Sequence, residues 1–222
     1  MQAERKNKAN LKVIILGEFN VGKTSLIKRY KEGKFDPQEE PTIGASFYLK
    51  RWGPHNVAIW DTAGQERFMS LSALYCRGTK AAILAFDISQ KDTFNQLEKR
   101  FLPLVNSHTE ENCLIVIVGC KVDAVLESNR QVHRETAIAL ARELNPTWKP
   151  EKPPPYYETS SITGENVNAL FEFIFEYFLP LSESEKNQYN QMNKRTKHSV
   201  RDGTVDLQSK SVSTKRKCCS LL

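Results

Sequence analysis

Between Leu11 and Phe178 the chain alternates two kinds of apolar pattern. Short runs of β-branched and aromatic residues read as strands at Leu11 to Leu16, Ala45 to Trp52, Asn56 to Trp60, Ala81 to Asp87, Cys113 to Gly119 and Tyr156 to Thr159. Between them, helical spacing predicts helices over about Lys23 to Lys31, Glu66 to Cys76, Asp92 to Ser107, His133 to Leu144 and Val167 to Phe178. The second and third strands form a hairpin turning near Gly53 and Pro54. In the last helix, Leu170, Phe171, Ile174, Phe175 and Phe178 make the stripe of a helix packed on a sheet. This alternation predicts an α/β fold, a six-stranded, mostly parallel sheet with helices on both faces.

Two segments depart from the alternation. Asn145 to Pro155 holds five prolines in eleven residues and reads as a surface loop. After Pro180 the aromatic residues give way to a Ser, Lys, Asn and Gln mixture without periodicity, which buries too little surface to fold. The expected organisation is a flexible N-terminus over 1–10, one folded domain over 11–180 and a disordered tail over 181–222.

Composition changes this picture only at its edges. The 222 residues, 40% hydrophobic, suit one ordinary domain with an appendage. No run of eighteen apolar residues occurs, and Met1 to Asn10 is polar and charged, so the expected compartment is the cytosol. Cys76, Cys113 and Cys120 are scattered singly, and His55, His108, His133 and His198 lie far apart, so neither a disulfide framework nor a zinc site is expected. The net charge is +6, yet from residue 182 onward nine Lys or Arg face four Asp or Glu. The basic surplus thus belongs to the tail rather than to a folded face, which argues against a nucleic-acid partner.

The candidate chemistry starts directly after the first strand. Gly17, Glu18, Phe19, Asn20, Val21, Gly22, Lys23 and Thr24 satisfy GxxxxGK[ST] at every fixed position, and the motif opens a helix continuing with Ser25. Glycines let the backbone wrap phosphates, and amide N–H groups at a helix N-terminus attract anions. Lys23 would bridge the terminal phosphates and the Thr24 hydroxyl would bind Mg²⁺. The α/β fold is therefore expected to be that of a P-loop nucleoside triphosphatase. The loop alone leaves ATP and GTP both open.

Further motifs carry a resemblance to the Ras superfamily, most closely its Rab branch. Trp60 to Phe68 reads WDTAGQERF; Ile43 to Phe47 resembles IGxxF; Leu74 to Gly78 resembles the YYRG region; Phe86-Asp87-Ile88 resembles the YDI strand end. The resemblance covers about Leu11 to Pro180. It implies that Asp61 holds Mg²⁺ through water, that Gly64 lets backbone approach the γ-phosphate, and that Gln65 orients the attacking water. Taken alone, Asp61 also reads as a helix cap. Thr42, nineteen residues after Lys23, falls where the family completes the Mg²⁺ shell only with triphosphate bound, and Phe35 falls where an aromatic meets the guanine ring. Alone, Phe35 reads as a core residue.

Gly119 to Asp123 resembles NKxD with Cys120 in place of Asn. Asp123 would select guanine by accepting from N1–H and the exocyclic amine, with Lys121 beside it. Cys120 is a weak hydrogen-bonding substitute, so weaker nucleotide retention is expected, by about 1 to 3 kcal/mol if the lost bond is unreplaced. Glu158 to Ile162 resembles ETSAK, which places Ser160, Ser161 and Ile162 at the base, with Ser161 for Ala and Ile162 for Lys. Phe19 and Asn20 stand where the family carries small residues. A ring there is expected to obstruct an activating protein and to make hydrolysis slow.

The resemblance further implies an effector surface of Phe47, Trp60 and Tyr75, which by composition alone read as packing. Cys218 and Cys219 near the C-terminus match a prenylation pair, and the last four residues also fit CaaX. Lys215, Arg216 and Lys217 would add attraction to anionic lipid. A Rab-like switch of this kind cycles between GTP and GDP on the cytoplasmic face of an endomembrane, lipid-anchored, with a cytosolic pool. Its implied partners are an exchange factor, an activating protein, effectors, Rab escort protein and GDP dissociation inhibitor. Two other readings stay open on the sequence: a prenylated scaffold with weak nucleotide retention and negligible turnover, and an ATP-dependent P-loop enzyme, which Asp123 and Gln65 disfavour.

Overall fold

The computed structural model describes residues 9–65 and 69–191. Its sheet has six strands: β1 (Leu11–Leu16), β2 (Ala45–Trp52), β3 (His55–Thr62), β4 (Ala81–Asp87), β5 (Leu114–Cys120) and β6 (Tyr156–Thr159), in the order β2-β3-β1-β4-β5-β6. Only β2 runs antiparallel to its neighbour; the other pairings are parallel. β4 and β5 are buried along their whole length, as continuous apolar runs between two helical layers must be. β2, at the sheet edge, alternates exposed and covered residues instead.

Helices α1 (Lys23–Glu32) and α6 (Val167–Phe178) cover one face, where the Tyr30 and Phe171 rings stack at 4.2 Å. The other face carries α2 (Met69–Cys76), α3 (Lys91–Gln96), α4 (Leu102–His108) and α5 (Arg134–Glu143). Their apolar residues join Leu16, Leu84, Phe86 and Ile117 of the sheet in one core. Alternation along β1, with Ile14 and Leu16 toward that core, is what a strand between two layers requires.

The continuous helix expected over Asp92 to Ser107 is divided by a π-helical stretch, Leu97–Phe101. Pro103 is the physical cause: it donates no N–H, and its ring crowds the carbonyl four residues back. The wider turn relieves that clash, and the Leu102 N–H bonds to the Leu97 carbonyl, five residues away. β3 runs two residues past the expected Trp60, so that Asp61 and Thr62 lie in the strand.

The proline-rich segment folds over α6, and the Trp148 ring meets Phe173 at 5.7 Å and Tyr177 at 5.4 Å. Its root is pinned by Asn145, whose side chain accepts from Ile115 N–H and donates to the Ile115 and Ala141 carbonyls. Beyond residue 181 the chain forms a separate unit, in which 183–191 is helical. That helix stands where a structureless segment was expected, and a reciprocal cap starts it: Ser182 N–H donates to Glu185 Oε2 at 2.8 Å while Glu185 N–H reaches Ser182 Oγ. Among the described residues no helix is long and apolar enough to cross a membrane.

Candidate nucleotide site

The parallel register brings the carboxyl ends of five strands to one edge of the sheet, the usual position of a ligand crevice in such folds. Ile15 of β1 faces Asp61 of β3, Asp87 of β4 faces Cys120 of β5, and Cys120 faces Thr159 of β6. Residues from Ile15 to Thr159 in the sequence thus converge there.

At the end of β1 the chain turns into the phosphate-loop segment. A Cβ on Gly17 would lie 2.2 Å from the Ala85 carbonyl oxygen, so only glycine fits against β4. Lys23 folds back along the loop: its Nζ donates to the carbonyls of Gly17 at 2.9 Å and Glu18 at 2.7 Å. Burial pushes the Lys23 ammonium down to about 8, against the opposing pull of Asp61.

Thr24, Thr42 and Asp61 meet on one side of the cleft. Thr24 Oγ1 donates to Asp61 Oδ2 at 2.7 Å, Thr42 Oγ1 donates to the same oxygen at 3.1 Å, and the two hydroxyls are 2.8 Å apart. Among the described residues, Asp61 Oδ1 is buried with no hydrogen-bond partner. Burial raises the Asp61 carboxyl above its ordinary range, more than the two threonines and Lys23 lower it. An unmet carboxylate oxygen beside two hydroxyls is a hard-oxygen donor set that fits Mg²⁺. Next to it, a Cβ on Gly64 would stand 2.4 Å from both the Glu18 carbonyl carbon and the Phe19 nitrogen.

The opposite end is built from the loops after β5 and β6. Lys121 takes a left-handed backbone conformation, φ 65°, and its Nζ lies 2.8 Å from Asp87 Oδ2. Cys120 is buried beneath, next to Thr159 of β6, and burial pushes its thiol up to about 12, a neutral S–H. The Arg130 guanidinium makes two bonds to Glu158, of 2.9 and 3.0 Å, and Tyr156 Oη donates to Glu158 at 2.6 Å. This braces the strand leading into 160–162.

A cleft of about 350 Å³ connects the two ends. Of the residues singled out in the sequence, Phe19, Asn20, Gly22, Lys23, Thr24, Ser25, Phe35, Thr42, Gly64, Cys120, Lys121, Asp123, Ser161 and Ile162 line it. Gly17, Glu18 and Val21 are not among the lining residues, and Asp61 is joined to the lining through the two threonines. Ser160 is fully buried beside the lining residues Ser161 and Ile162, and its Oγ accepts from Thr163 N–H at 3.0 Å, shaping the loop. Gln65 is half-buried just outside the lining.

The aromatic trio is brought together on another surface. Phe47 meets Trp60 edge-on at 5.2 Å, Trp60 stacks on Tyr75 at 5.0 Å, and Lys12 Nζ lies 5.0 Å over the Trp60 ring. Sequence reading missed three ion pairs that frame the cleft, Lys121 with Asp87, Arg130 with Glu158, and Arg100 with Glu18. No local pattern links partners that lie 28 to 82 residues apart. Lys215, Arg216, Lys217, Cys218 and Cys219 lie outside the described residues.

Comparison with known proteins agrees with this geometry. Residues 12–179 match the sequence model of the Ras family. The chain is 36% identical to Ras-related protein Rab-20 of Mus musculus over 240 residues, covering 94% of this chain and 97% of that protein. It is 33% identical to Ras-related protein Rab-31 of Homo sapiens over 213 residues, covering 94% and 97%. Ras-related protein Rab-18 of Lymnaea stagnalis is 35% identical over 170 residues, covering 75% and 79%. A phosphate loop on an α/β sheet, oxygen donors gathered at its strand ends and family likeness along nearly the whole chain agree: the protein belongs to the Rab family of small GTPases, within the Ras superfamily.

Proposed function

We propose that this chain is a membrane-trafficking switch that binds GTP with Mg²⁺, hydrolyses it slowly and changes shape between the two nucleotide states. The observation that carries the reading is the junction of Thr24, Thr42 and Asp61, which ties the segment before β2, the phosphate loop and a strand end through one carboxylate oxygen.

In this reading the amides of 17–25 and the Lys23 ammonium hold the phosphates. Thr24, Thr42 and Asp61 would hold Mg²⁺, whose charge offsets that of the phosphate oxygens. Thr42 belongs to the segment before β2, so its grip lasts while the γ-phosphate is present and relaxes afterwards. Gln65 orients the attacking water, Phe35 covers the guanine ring, and the Asp123 carboxylate selects it. Ser161 meets the base through backbone, and Ile162 and Lys121 flank it.

Slow turnover follows from Phe19, which is half-exposed at the cleft and stands where an activating protein approaches. Activating proteins supply roughly 10³ to 10⁵ in rate, so blocked access matters more than any loss of intrinsic chemistry. Phe47, Trp60 and Tyr75 present the effector surface. Cys218 and Cys219 carry the lipid, assisted by Lys215, Arg216 and Lys217, and hold the protein on a cytosol-facing membrane. The corresponding partners are an exchange factor, an activating protein, escort protein and dissociation inhibitor.

A scaffold reading, with little turnover, is favoured by one observation: the buried neutral thiol of Cys120 where the family has an amide. Single-turnover GTP hydrolysis, with Gln65→Leu as control, separates the two. Hydrolysis that Gln65→Leu abolishes supports the switch; equal, negligible turnover in both proteins supports the scaffold.

A further inference from the structure

Glu18 occupies a position that GxxxxGK[ST] leaves unspecified, yet three elements meet on it. Its carbonyl oxygen accepts from Lys23 Nζ at 2.7 Å. Its peptide to Phe19 lies against Gly64, so closely that no Cβ fits between them. Its carboxylate is gripped by Arg100 Nη1. Arg100 comes from the π stretch Leu97–Phe101, where the extra residue in the turn re-aims the side chains that follow.

The pair is shielded, both side chains being only 20% exposed. Among the described residues, the second guanidinium nitrogen, Nη2, is buried with no hydrogen-bond partner. Arg100 is thus held at Glu18 with a donor unmet, a cost that an arginine merely coating the helix avoids by turning to water.

We propose that Arg100 is a positioning residue for the phosphate loop: through Glu18 it fixes the peptide that lies between Lys23 and Gly64, and so sets how tightly the nucleotide phosphates are held. The inference rests on the guanine-nucleotide reading above. Arg100 itself touches no nucleotide, and its action passes wholly through the Glu18 carboxylate.

The test is the dissociation rate of a fluorescent GDP analogue, with Mg²⁺, from the full chain carrying Arg100→Ala, Glu18→Gln or both. Arg100→Ala should release GDP about tenfold faster, the effect of losing a shielded, charge-assisted pair. The double variant should be no faster than the faster single variant, because both changes break one interaction. An Arg100 that only stabilises the fold would lower the melting temperature while leaving the release rate at the wild-type value, and that result overturns the proposal. Additive effects in the double variant overturn it too. If Arg100→Ala does not fold, Arg100→Gln replaces it, with several-fold faster release expected and a wild-type rate contradicting. A wild-type chain that binds no guanine nucleotide defeats the underlying reading, and this inference with it.

Discussion

Gly64 and Glu18 are in backbone contact, 2.4 Å separating the Glu18 carbonyl carbon from where a Gly64 Cβ would stand. The segment that leads to Gln65 is therefore set in place by the phosphate loop itself. In Gly64→Ala the overlap involves backbone on both sides, and relieving it costs about 1 to 3 kcal/mol or moves Gln65 outward. Single-turnover GTP hydrolysis should fall about tenfold or more, with GDP affinity changed less. Hydrolysis at the wild-type rate would show that this contact does not place the glutamine.

Lys23 gives the site a defined pH response. In the free protein burial holds its ammonium at about 8, and phosphates brought beside it raise that value. A group whose pKa rises on binding takes up a proton when the ligand binds above its free value. Affinity should then be level below about pH 8 and fall above it, approaching tenfold per pH unit until the bound-state pKa is reached. Titrating GDP binding from pH 7 to 9.5 checks this; affinity that stays flat or rises across the range contradicts it.

Cys120 is buried at the end of the cleft built by the loops after β5 and β6, and its Cβ would lie 3.8 Å from a Cβ on Gly22. An amide there can bridge base and loop where the thiol cannot. Cys120→Asn should slow GDP release by the equivalent of about 1 to 3 kcal/mol, or roughly 5- to 150-fold. Stopped-flow release of labelled GDP measures it, and unchanged release would mean that another contact already supplies the tie.

Arg130 and Glu158 form a partly buried pair whose rupture leaves the Glu158 carboxylate with the Tyr156 hydroxyl as its remaining side-chain donor. Arg130→Ala should destabilise the domain by about 1 to 3 kcal/mol in urea unfolding. Burial pushes the Glu158 carboxyl up, but the donors of Arg130 and Tyr156 outweigh it and hold it below the ordinary range. Its contribution to stability is accordingly complete above the ordinary carboxylate pKa and lost as pH falls through the lowered value. The wild-type protein should lose that stability at lower pH than Arg130→Ala; coincident acid limbs would contradict the pairing.

Much of this architecture was legible in sequence because strands between two helical layers must be apolar throughout, and Ala81 to Asp87 is such a run. The phosphate-loop segment was legible for a related reason: Gly17 and Lys23 each meet a local demand, close approach to β4 and a fold-back onto the loop carbonyls. The π stretch was not legible, since Pro103 marks a disturbance in a helix without saying how the backbone absorbs it. Nor were Arg100 and Arg130, whose partners are set by topology and not by spacing. Ser160 has a role that the motif does not announce: its buried hydroxyl accepts from Thr163 N–H and builds the turn after β6.

The most direct test of the central claim is the nucleotide that the chain carries when purified, released by denaturation and separated by chromatography, with competition between GTP and ATP for the emptied site. The account predicts bound GDP or GTP, retained in Mg²⁺ and lost on chelation, and a strong preference for GTP that Asp123→Ala abolishes. Adenine nucleotide in the site, or equal affinity for ATP and GTP, would contradict it.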